Sequence, residues 1–581
     1  MRISHKLILV GVFSLFVSYA SAQKETLVYL EQCETLSFDE RLHPDAQLLK
    51  GNVRFRHEEA YMYCDSAYFY EKENSFDAFG HIRFVQGDTL SGYGDILYYN
   101  GNTKVARLRK NVKLINRNTT LTTDSLNYDR TNDIAYYFHG GELQDSLNIL
   151  TSAWGQYTPY NNQAVFRDNV LLKHPKFTLT ADTLKYNTET HIAYLQGPTR
   201  IDYGDETTIL STLGWYNTQT EETLLMERSK IIHADGKSLT GDSLFYDKQA
   251  GFGKVYSRFE MTDSIRKATL YGNYGEVYED GKKGYATDSA LFVDWSGKDW
   301  LYMHADTLFT EEVHYQEPVI VPYGNPARDS VATYHEPDTL WNDTTYQRLR
   351  AYYGVRTYRQ DMQMVCDSLT YHGRDSVMSL CGNPVCWSDE NQVSADTIYV
   401  YMKNGTIDYA HGVGNAIAVK QEDADRFDQM AGKEMFAYIR NGELRRVEVN
   451  GNAETIFFPR EDDGTFIGMN KTQSSFVKIF LQNKKIDHIV FTTATTGTMY
   501  PLDSITTPEA HLDEFLWRDH LRPKMPGDVF SSVQEESTPE QLDNLATEDR
   551  KHTAPATAAE PEKSKQTTKN TRTKSSISKK R

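Results

Sequence analysis

Residues 171–216 decide the fold of this chain, and their centre, residues 176–197, reads KFTLTADTLKYNTETHIAYLQG. The core of this stretch is an acidic residue followed two and four positions later by a leucine and a tyrosine: Asp182-Thr-Leu184-Lys-Tyr186. Close copies are Asp124-Ser-Leu126-Asn-Tyr128, Asp242-Ser-Leu244-Phe-Tyr246 and Asp367-Ser-Leu369-Thr-Tyr371. Looser copies begin at Asp65, Asp95, Asp288, Asp306 and Asp396. The spacings of 30, 29, 58, 60 and 29 residues (65 to 95, 95 to 124, 124 to 182, 182 to 242 and 367 to 396) indicate a tandem repeat.

A repeat of about 30 residues predicts a stacked architecture, because each unit is too small to bury its apolar face alone. The chain has 581 residues, which is too long for one compact core, but a stack escapes that limit since each repeat contacts mainly its neighbours. Its 38 tyrosines and 26 phenylalanines favour strands. We therefore expect an all-β fold, an elongated stacked β-jellyroll or solenoid.

A second element precedes each acidic motif and predicts a tight corner between strands. Its copies are Leu49-Lys-Gly51-Asn52-Val53, Phe79-Gly80-His-Ile82, Leu108-Arg-Lys-Asn111-Val112, Phe166-Arg-Asp-Asn169-Val170 and Leu380-Cys-Gly382-Asn-Pro-Val385. Gly and Asn tolerate the positive φ that such a corner requires. Apolar and polar residues alternate after each corner, so each strand has one apolar face and one solvated face.

Residues 1–22 have the features of an export signal. A basic start is followed by an apolar run from Leu7 to Val17 and by the small-residue site Ala20-Ser21-Ala22. The run is short for a bilayer span, and an uncleaved anchor is the alternative interpretation. The mature chain is expected to start at Gln23.

The rest of the chain divides into five segments. Residues 23–310 and 359–505 carry the repeats, and residues 311–358, which contain four prolines, predict a long inserted loop. Residues 506–526 predict a short helix that caps the stack, with Pro508 in its first turn and Leu512 on its apolar side. Residues 527–581 are rich in Ser, Thr, Pro and Lys and predict a disordered basic tail.

Charge and motifs limit the classes of function. The formal net charge of -17 argues against a nucleic-acid partner. The sequence has no Ser-His-Asp signature, zinc-spaced His/Cys set or phosphate-binding Gly loop, so we assign no catalytic residue, no metal ligand and no cofactor. The acidic residue of the repeat recurs too often for an active site. We expect it to cap a corner, with metal binding as the alternative.

Two of the five cysteines, Cys33 and Cys64, occupy the same phase of the repeat, 31 residues apart. If they stood on adjacent rungs about 4.8 Å apart, they would be within disulfide range. We therefore predict a Cys33–Cys64 bridge. The equally open alternative is two small buried residues at one repeated position.

The combined pattern, Leu-x-Gly-Asn-Val and then Leu-x-x-Asp-x-Leu-x-Tyr, resembles the OstA-like/LptA family of lipopolysaccharide transport proteins, in particular its long members from Bacteroidetes-type bacteria. The resemblance covers residues 49–246 and returns at 366–400 and 444–452. In that family the strands form a twisted, V-shaped β-jellyroll whose apolar interior holds lipid acyl chains. It bridges the inner and outer membranes, and its units join end to end.

The resemblance implies a function and a set of residues. The expected ligand is lipopolysaccharide, held by its lipid A acyl chains, and the location is the periplasm, with association at the outer membrane as a further expectation. The expected partners are other lipopolysaccharide transport components, including an outer-membrane barrel, and a second copy bound end to end. The residues implied to line the lipid-binding groove are Val53, Phe55, Phe69, Phe84, Leu97, Tyr99, Leu114, Leu126, Tyr128, Leu172, Leu184 and Tyr186.

Other interpretations stay open at this point. The same twelve residues are equally compatible with a closed, dry core, which is what a structural or adhesive surface solenoid would have. A polysaccharide-active β-helix enzyme is a third class, because its carboxylates need no regular spacing. The length, the proline-rich segment and the basic tail depart from the short bridging members of the family.

Overall fold

The computed structural model describes residues 26–41, 43–204, 206–279, 281–320, 339–461, 463–482 and 485–531. The signal segment 1–22 and most of the predicted tail lie outside these residues. The chain divides into two compact units, Met1–Phe530 and Ser531–Arg581, and every described strand lies in the first. The described residues form 36 β-strands and no α-helix, which confirms the all-β prediction.

The strands are numbered in chain order. Those of the first half are β1 (Tyr29–Gln32), β2 (Thr35–Phe38), β3 (Gln47–His57), β4 (Ala60–Tyr70), β5 (Ser75–Gln86), β6 (Leu90–Asn100), β7 (Val105–Asn116), β8 (Thr119–Asp129), β9 (Ile134–Tyr137), β10 (Gly141–Gln144), β11 (Ile149–Ser152), β12 (Trp154–Thr158), β13 (Gln163–Lys173), β14 (Thr178–Asn187), β15 (Ile192–Tyr203), β16 (Thr207–Asn217), β17 (Glu222–His233), β18 (Lys237–Asp247), β19 (Phe252–Asp263) and β20 (Ala268–Tyr278). Those of the second half are β21 (Lys283–Thr287), β22 (Leu291–Asp294), β23 (Leu301–His304), β24 (Thr307–Ile320), β25 (Thr339–Arg359), β26 (Met362–His372), β27 (Val377–Cys381), β28 (Val385–Ser388), β29 (Asn391–Ser394), β30 (Thr397–Lys403), β31 (Thr406–Gln421), β32 (Phe427–Arg440), β33 (Glu443–Phe457), β34 (Met469–Gln482), β35 (Lys485–Thr492) and β36 (Thr496–Tyr500).

All described strand pairs are antiparallel, and in most pairs of long strands the register shifts near the middle, where the strands bend. In the β3–β4 pair, Lys50 stands opposite Ser66 and Val53 opposite Cys64, so two residues of β3 share the space opposite Asp65. Those two residues, Gly51 and Asn52, have φ of 80° and 44°. A bulge of this kind bends a strand while the pairing continues on both sides of it.

The bends divide the sheet into two walls. Wall A contains residues 53–57 of β3 and the half-strands paired with them in series, and wall B contains residues 47–50 and the half-strands paired with those. Side chains of the two walls meet between them. Phe55 of wall A and Phe76 of wall B stack with ring centroids 4.0 Å apart.

The predicted corners are confirmed, with one correction to their position. A positive φ is found at all five of Gly51, Gly80, Asn111, Asn169 and Gly382. In the first four repeats, however, the corner lies inside one long strand and does not separate two short ones. Each repeat therefore supplies two strands that both cross from one wall to the other.

The predicted loop at residues 311–358 is wrong for its described parts. Residues 311–320 belong to β24 and residues 339–358 to β25, and these strands pair without interruption from Thr307–Tyr352 to Ile320–Thr339. Pro318 lies within β24, a strand that pairs with β25 over its whole length. Residues 321–338 lie outside the described residues. The strand accommodates Pro318 because its other neighbour, β21, pairs with β24 only over Thr307–Glu311, so β24 is an edge strand at Pro318.

The predicted C-terminal helix is also wrong. Thr506 and Glu509 bond to each other as in a first helical turn, with the Thr506 hydroxyl 2.8 Å from the carboxylate. The chain then continues as turns and 3-10 segments, the last at Pro526–Phe530. Leu512, Phe515 and Trp517 instead pack on the sheet, since burial against a preformed apolar surface outweighs a weak local helix preference.

We name residues 501–530 the C-terminal segment. Val529, near its end, is fully buried, so the prediction of disorder is wrong for residues 527–530, and residues 532–581 of the predicted tail lie outside the described residues. No described helix is long and apolar enough to cross a membrane.

The corner geometry predicts that Gly80→Ala is strongly destabilising. A Cβ at Gly80 would lie 2.3 Å from a carboxylate oxygen of Asp65, and the two atoms would clash. The left-handed conformation of this residue costs an L-residue roughly 1 kcal/mol more. Hydrogen exchange should show local opening of β4 and β5 at a lower free energy.

The matched control is Gly87→Ala. Gly87 also has a positive φ, but no atom lies within 4 Å of the added Cβ. Equal effects of the two substitutions would contradict the role of the corner contact.

Candidate functional site

The space between the walls is filled by one apolar cluster that runs from Val28 to Val477. The structure places all twelve predicted groove residues in it, each at most 7% exposed: Val53, Phe55, Phe69, Phe84, Leu97, Tyr99, Leu114, Leu126, Tyr128, Leu172, Leu184 and Tyr186. They share one interior because the two-residue period of a strand turns them all to the same face. In this region they pack against one another, and their contact with a lipid stays a prediction.

Tyrosine hydroxyls tie the walls together at the rim, the edge of the interior farthest from the corners. Tyr99 of wall B lies 2.6 Å from Nδ1 of His57 in wall A, and Arg130 donates to the same hydroxyl at 2.7 Å. Tyr186 of wall B donates to Asp145 at the edge of wall A at 2.5 Å. The last residue of the acidic motif is therefore a tie across the rim as well as part of the apolar interior.

The same arrangement recurs along the first half of the sheet. The Tyr157 hydroxyl accepts a hydrogen bond from Asn116 at 2.9 Å, and Tyr216 bonds to Tyr203. Burial raises the pKa of Tyr186 and of Tyr216 well above the ordinary value, so both remain protonated donors at neutral pH. These ties close the interior over residues 57–216.

The second half of the sheet is different, because its interior contains two adjoining cavities. One has a volume of about 390 Å³ and the other about 450 Å³, and they share Met362, Val400 and Ile407 in their walls. Seven of the 14 methionines of the chain line them: Met261, Met303, Met362, Met364, Met378, Met402 and Met435. Both volumes fall in the range of ordinary ligand sites. Unbranched methionine adapts its shape to irregular guests, so this is the candidate binding site.

Beside the second cavity small residues replace the rim tyrosine, whereas Tyr371 of the Asp367 motif is kept and lines the first cavity. The motif Asp396-Thr-Ile-Tyr-Val400 has valine where Tyr186 stands in the first half, and Ala437 occupies the corresponding position of β32. Both residues line a cavity. Neither can fill the interior or reach the opposite wall as tyrosine does.

None of these cavity residues was among those predicted from the sequence. The signal that could have found them is the density of methionine, since eight methionines lie from residue 261 to residue 435 and only Met62 and Met226 lie between 49 and 260. The loss of tyrosine from the motif at Val400 was the second signal.

The repeated acidic residues lie at the corners and hold them. Asp95 accepts a hydrogen bond from Asn111 at 2.7 Å, and Asp242 accepts two from Arg258, both at 2.7 Å. The Arg258 bonds lower the pKa of Asp242. The described residues contain no group of three His, Cys, Asp or Glu side chains that could hold a metal ion.

The predicted Cys33–Cys64 bridge is not formed, and all five cysteines are free. Each repeat supplies two strands, so β3 lies between the two cysteines and Cys64 pairs with Val53 of that strand. Two strand spacings amount to about 9.6 Å, which exceeds disulfide range. Burial raises the pKa of the Cys64 thiol to about 12, so it is a poor nucleophile.

Comparisons with known proteins agree with the resemblance seen in the sequence. Residues 25–182 match the family model described as OstA-like protein, which confirms that resemblance for this part of the chain. No curated protein matches.

Twelve chains of solved structures are similar to this chain. One is LptH of Pseudomonas aeruginosa, described as the LptA homologous periplasmic component of the conserved lipopolysaccharide transport device. It is 16% identical, and the match covers 22% of this chain and 81% of LptH with a TM-score of 0.17. At that score no geometry is transferred, and the fold assignment rests on the strands described above.

The rim ties predict that Tyr186→Phe lowers the free energy of unfolding of the surrounding strands by about 1–3 kcal/mol, because buried Asp145 and Asn148 each lose a partner. Tyr160→Phe is the control, since Tyr160 is 87% exposed. Denaturant titration of both variants measures the difference. Indistinguishable stabilities would show that the hydroxyl does not tie the walls.

The strand order predicts free thiols at Cys33 and Cys64. Alkylation of the unfolded, unreduced protein followed by peptide mapping should recover both cysteines with the label. A peptide pair joined through these two residues would mean that β3 does not lie between them.

Proposed function

We propose that this chain, whose residues 25–182 are OstA-like, shields the acyl chains of lipopolysaccharide in the apolar space between its two walls. The site of action is the periplasm, after export by the N-terminal signal, and the function is transport or assembly between the inner and outer membranes. The proposal is for a binding protein, not for an enzyme.

The two methionine-lined cavities support this proposal most strongly. Exposure of an acyl chain to water costs about 0.8 kcal/mol per methylene, so a lipid with several chains needs an apolar path across an aqueous compartment. The cavities share Met362 and Val400, and Met364 and Val400 of their lining belong to the same apolar cluster as the interior of the first half. A partly open space on this scale, with a mainly apolar surface and charged residues such as Arg266 and Arg359 also in its lining, suits a chain-shaped guest with a polar end.

The two halves of the sheet have different parts in the proposal. The second half holds the guest in the cavities. The twelve residues of the first half continue the same apolar interior, and a guest that passes along it displaces their mutual packing and opens rim ties such as Tyr186–Asp145. The tight packing of this half also favours the second candidate function, a structural solenoid that spaces other components.

The two ends of the sheet have unpaired strand edges that indicate how partners bind. Among the described strands, β1 and β2 pair only with β3, and β35 and β36 pair only with β34. Leu36 and Phe38 at one end and Met499 at the other are about half exposed. Unpaired edges with apolar side chains favour strand addition, so we propose end-to-end contact with a second copy or with other transport components, including an outer-membrane barrel.

Photocrosslinking tests the proposal. A benzophenone amino acid at Met402 should label lipopolysaccharide in cells that make it, because Met402 lines a cavity. Tyr401 is the control, since it precedes Met402 on the same strand and points to the opposite face. Leu126 extends the test to the first half. Labels found only on protein, together with normal surface arrival of new lipopolysaccharide after depletion, would remove the transport function.

Filling the cavity should reduce binding. Ala437→Trp places a large side chain in the second cavity and should lower the lipid label obtained from Met402 several-fold. Tyr438→Trp is the matched control on the outer face of the same strand, and thermal unfolding of both variants checks that the fold is kept. An unchanged label in the Ala437 variant would place the guest elsewhere.

A further inference from the structure

The C-terminal segment lies on the outer face of wall A, behind the cavities. A second apolar cluster, separate from the interior, forms there between the sheet and the segment. The sheet contributes Ile417, Val419 and Ile456, and the segment contributes Leu512 and Trp517. The segment thus covers apolar surface that the sheet would otherwise expose.

Two buried glutamines of wall A bind the backbone of the segment in the same way. Gln429 donates to the carbonyl of Ala510 and accepts from the N–H of Leu512, both at 2.8 Å. Gln392 donates to the carbonyl of Leu516 at 2.6 Å and accepts from the N–H of Arg518 at 2.8 Å. Each glutamine side-chain amide therefore donates to one backbone carbonyl and accepts from the backbone N–H two residues later. These hydrogen bonds involve the backbone of the segment and none of its side chains.

The contacts continue along the segment over the earlier strands. Arg522 donates to the side-chain oxygen of Gln363 at 2.8 Å. Buried Arg356 donates to the carbonyls of Leu521 and Asp528 at 2.9 and 3.3 Å. The segment is thus tied to β25, β26, β29 and β32, four strands of the wall that encloses the cavities.

The glutamines alternate with interior residues on their strands. Gln363 lies between Met362 and Met364, which line a cavity, and Gln392 precedes Val393, which lines the other. Since successive side chains of a strand point to opposite faces, only one backbone separates the bound segment from the cavity. A change in the contacts between the segment and the outer face must therefore affect the strands whose inner face lines the cavities.

We propose that the outer face of wall A, from Gln363 to Gln429, is a binding surface for an extended polypeptide, and that the C-terminal segment is its resident ligand. The bound segment holds the cavity strands together, and its release loosens them and admits the apolar guest. The inference rests on the proposed function, since it assigns control of access to the same cavity.

The test uses the full chain and hydrogen–deuterium exchange read by mass spectrometry. In Gln392→Ala/Gln429→Ala, exchange in residues 510–518 should rise roughly tenfold, because two N–H groups lose their acceptors. Exchange in β28 and β29 should rise with it, while β7 stays unchanged. Gln473→Ala, at an exposed site on the same wall, is the matched control.

A second variant keeps the wall intact. Leu512→Ser changes only the segment and should loosen the same strands, so a folding defect of the glutamine variant cannot imitate the result. Faster exchange in the segment with unchanged β28 and β29 would overturn the coupling, and no change in the segment would overturn the binding surface. Failure of the proposed function is separate, since it is read as loss of lipid label from Met402 in the unmodified chain.

Discussion

The structure depends on a strand that bends without breaking its ladder of hydrogen bonds. Two consecutive residues with positive φ stand opposite a single residue of the next strand, as Gly51 and Asn52 stand opposite Asp65. The carboxylate of the acidic residue binds the corner side chain, as Asp95 binds Asn111. Since this bend recurs in strand pair after strand pair, the apolar faces of the two walls are turned toward each other along the sheet.

Once two walls face each other, the residue at the rim decides what the space between them can hold. Tyrosine spans the gap and finds a polar partner on the other side, so the first half is closed and packed. Val400 and Ala437 at the same position are too short to reach the opposite wall, and the second half has cavities lined by methionine. One repeated fold thus has a tightly packed part and an adaptable part, which differ in methionine content and in the loss of the rim tyrosine at Val400 and Ala437.

Much of the fold could be predicted because the same sequence pattern recurs in many repeats. The positive φ at Gly80 and Asn169, the burial of Leu126 and Leu184 and the corner position of Asp242 all follow from local pattern. The wrong predictions concern segments whose structure depends on the surface against which they pack or pair, which a local sequence pattern does not show. Prolines near residue 320 favoured a loop, although β24 and β25 pair there as an edge hairpin. Pro508 favoured a helix, although Leu512 and its neighbours pack on an apolar surface of the sheet.

By itself the sequence determined the period, the face on which each side chain lies and the residues that form each corner, because these depend on neighbours within one strand. Only the tertiary structure decided that β3 separates Cys33 from Cys64, that Val400 and Ala437 leave a cavity, and that Gln392 and Gln429 hold the C-terminal segment. Each of these depends on which strand lies beside or across from another, and that arrangement exists only when the walls have assembled.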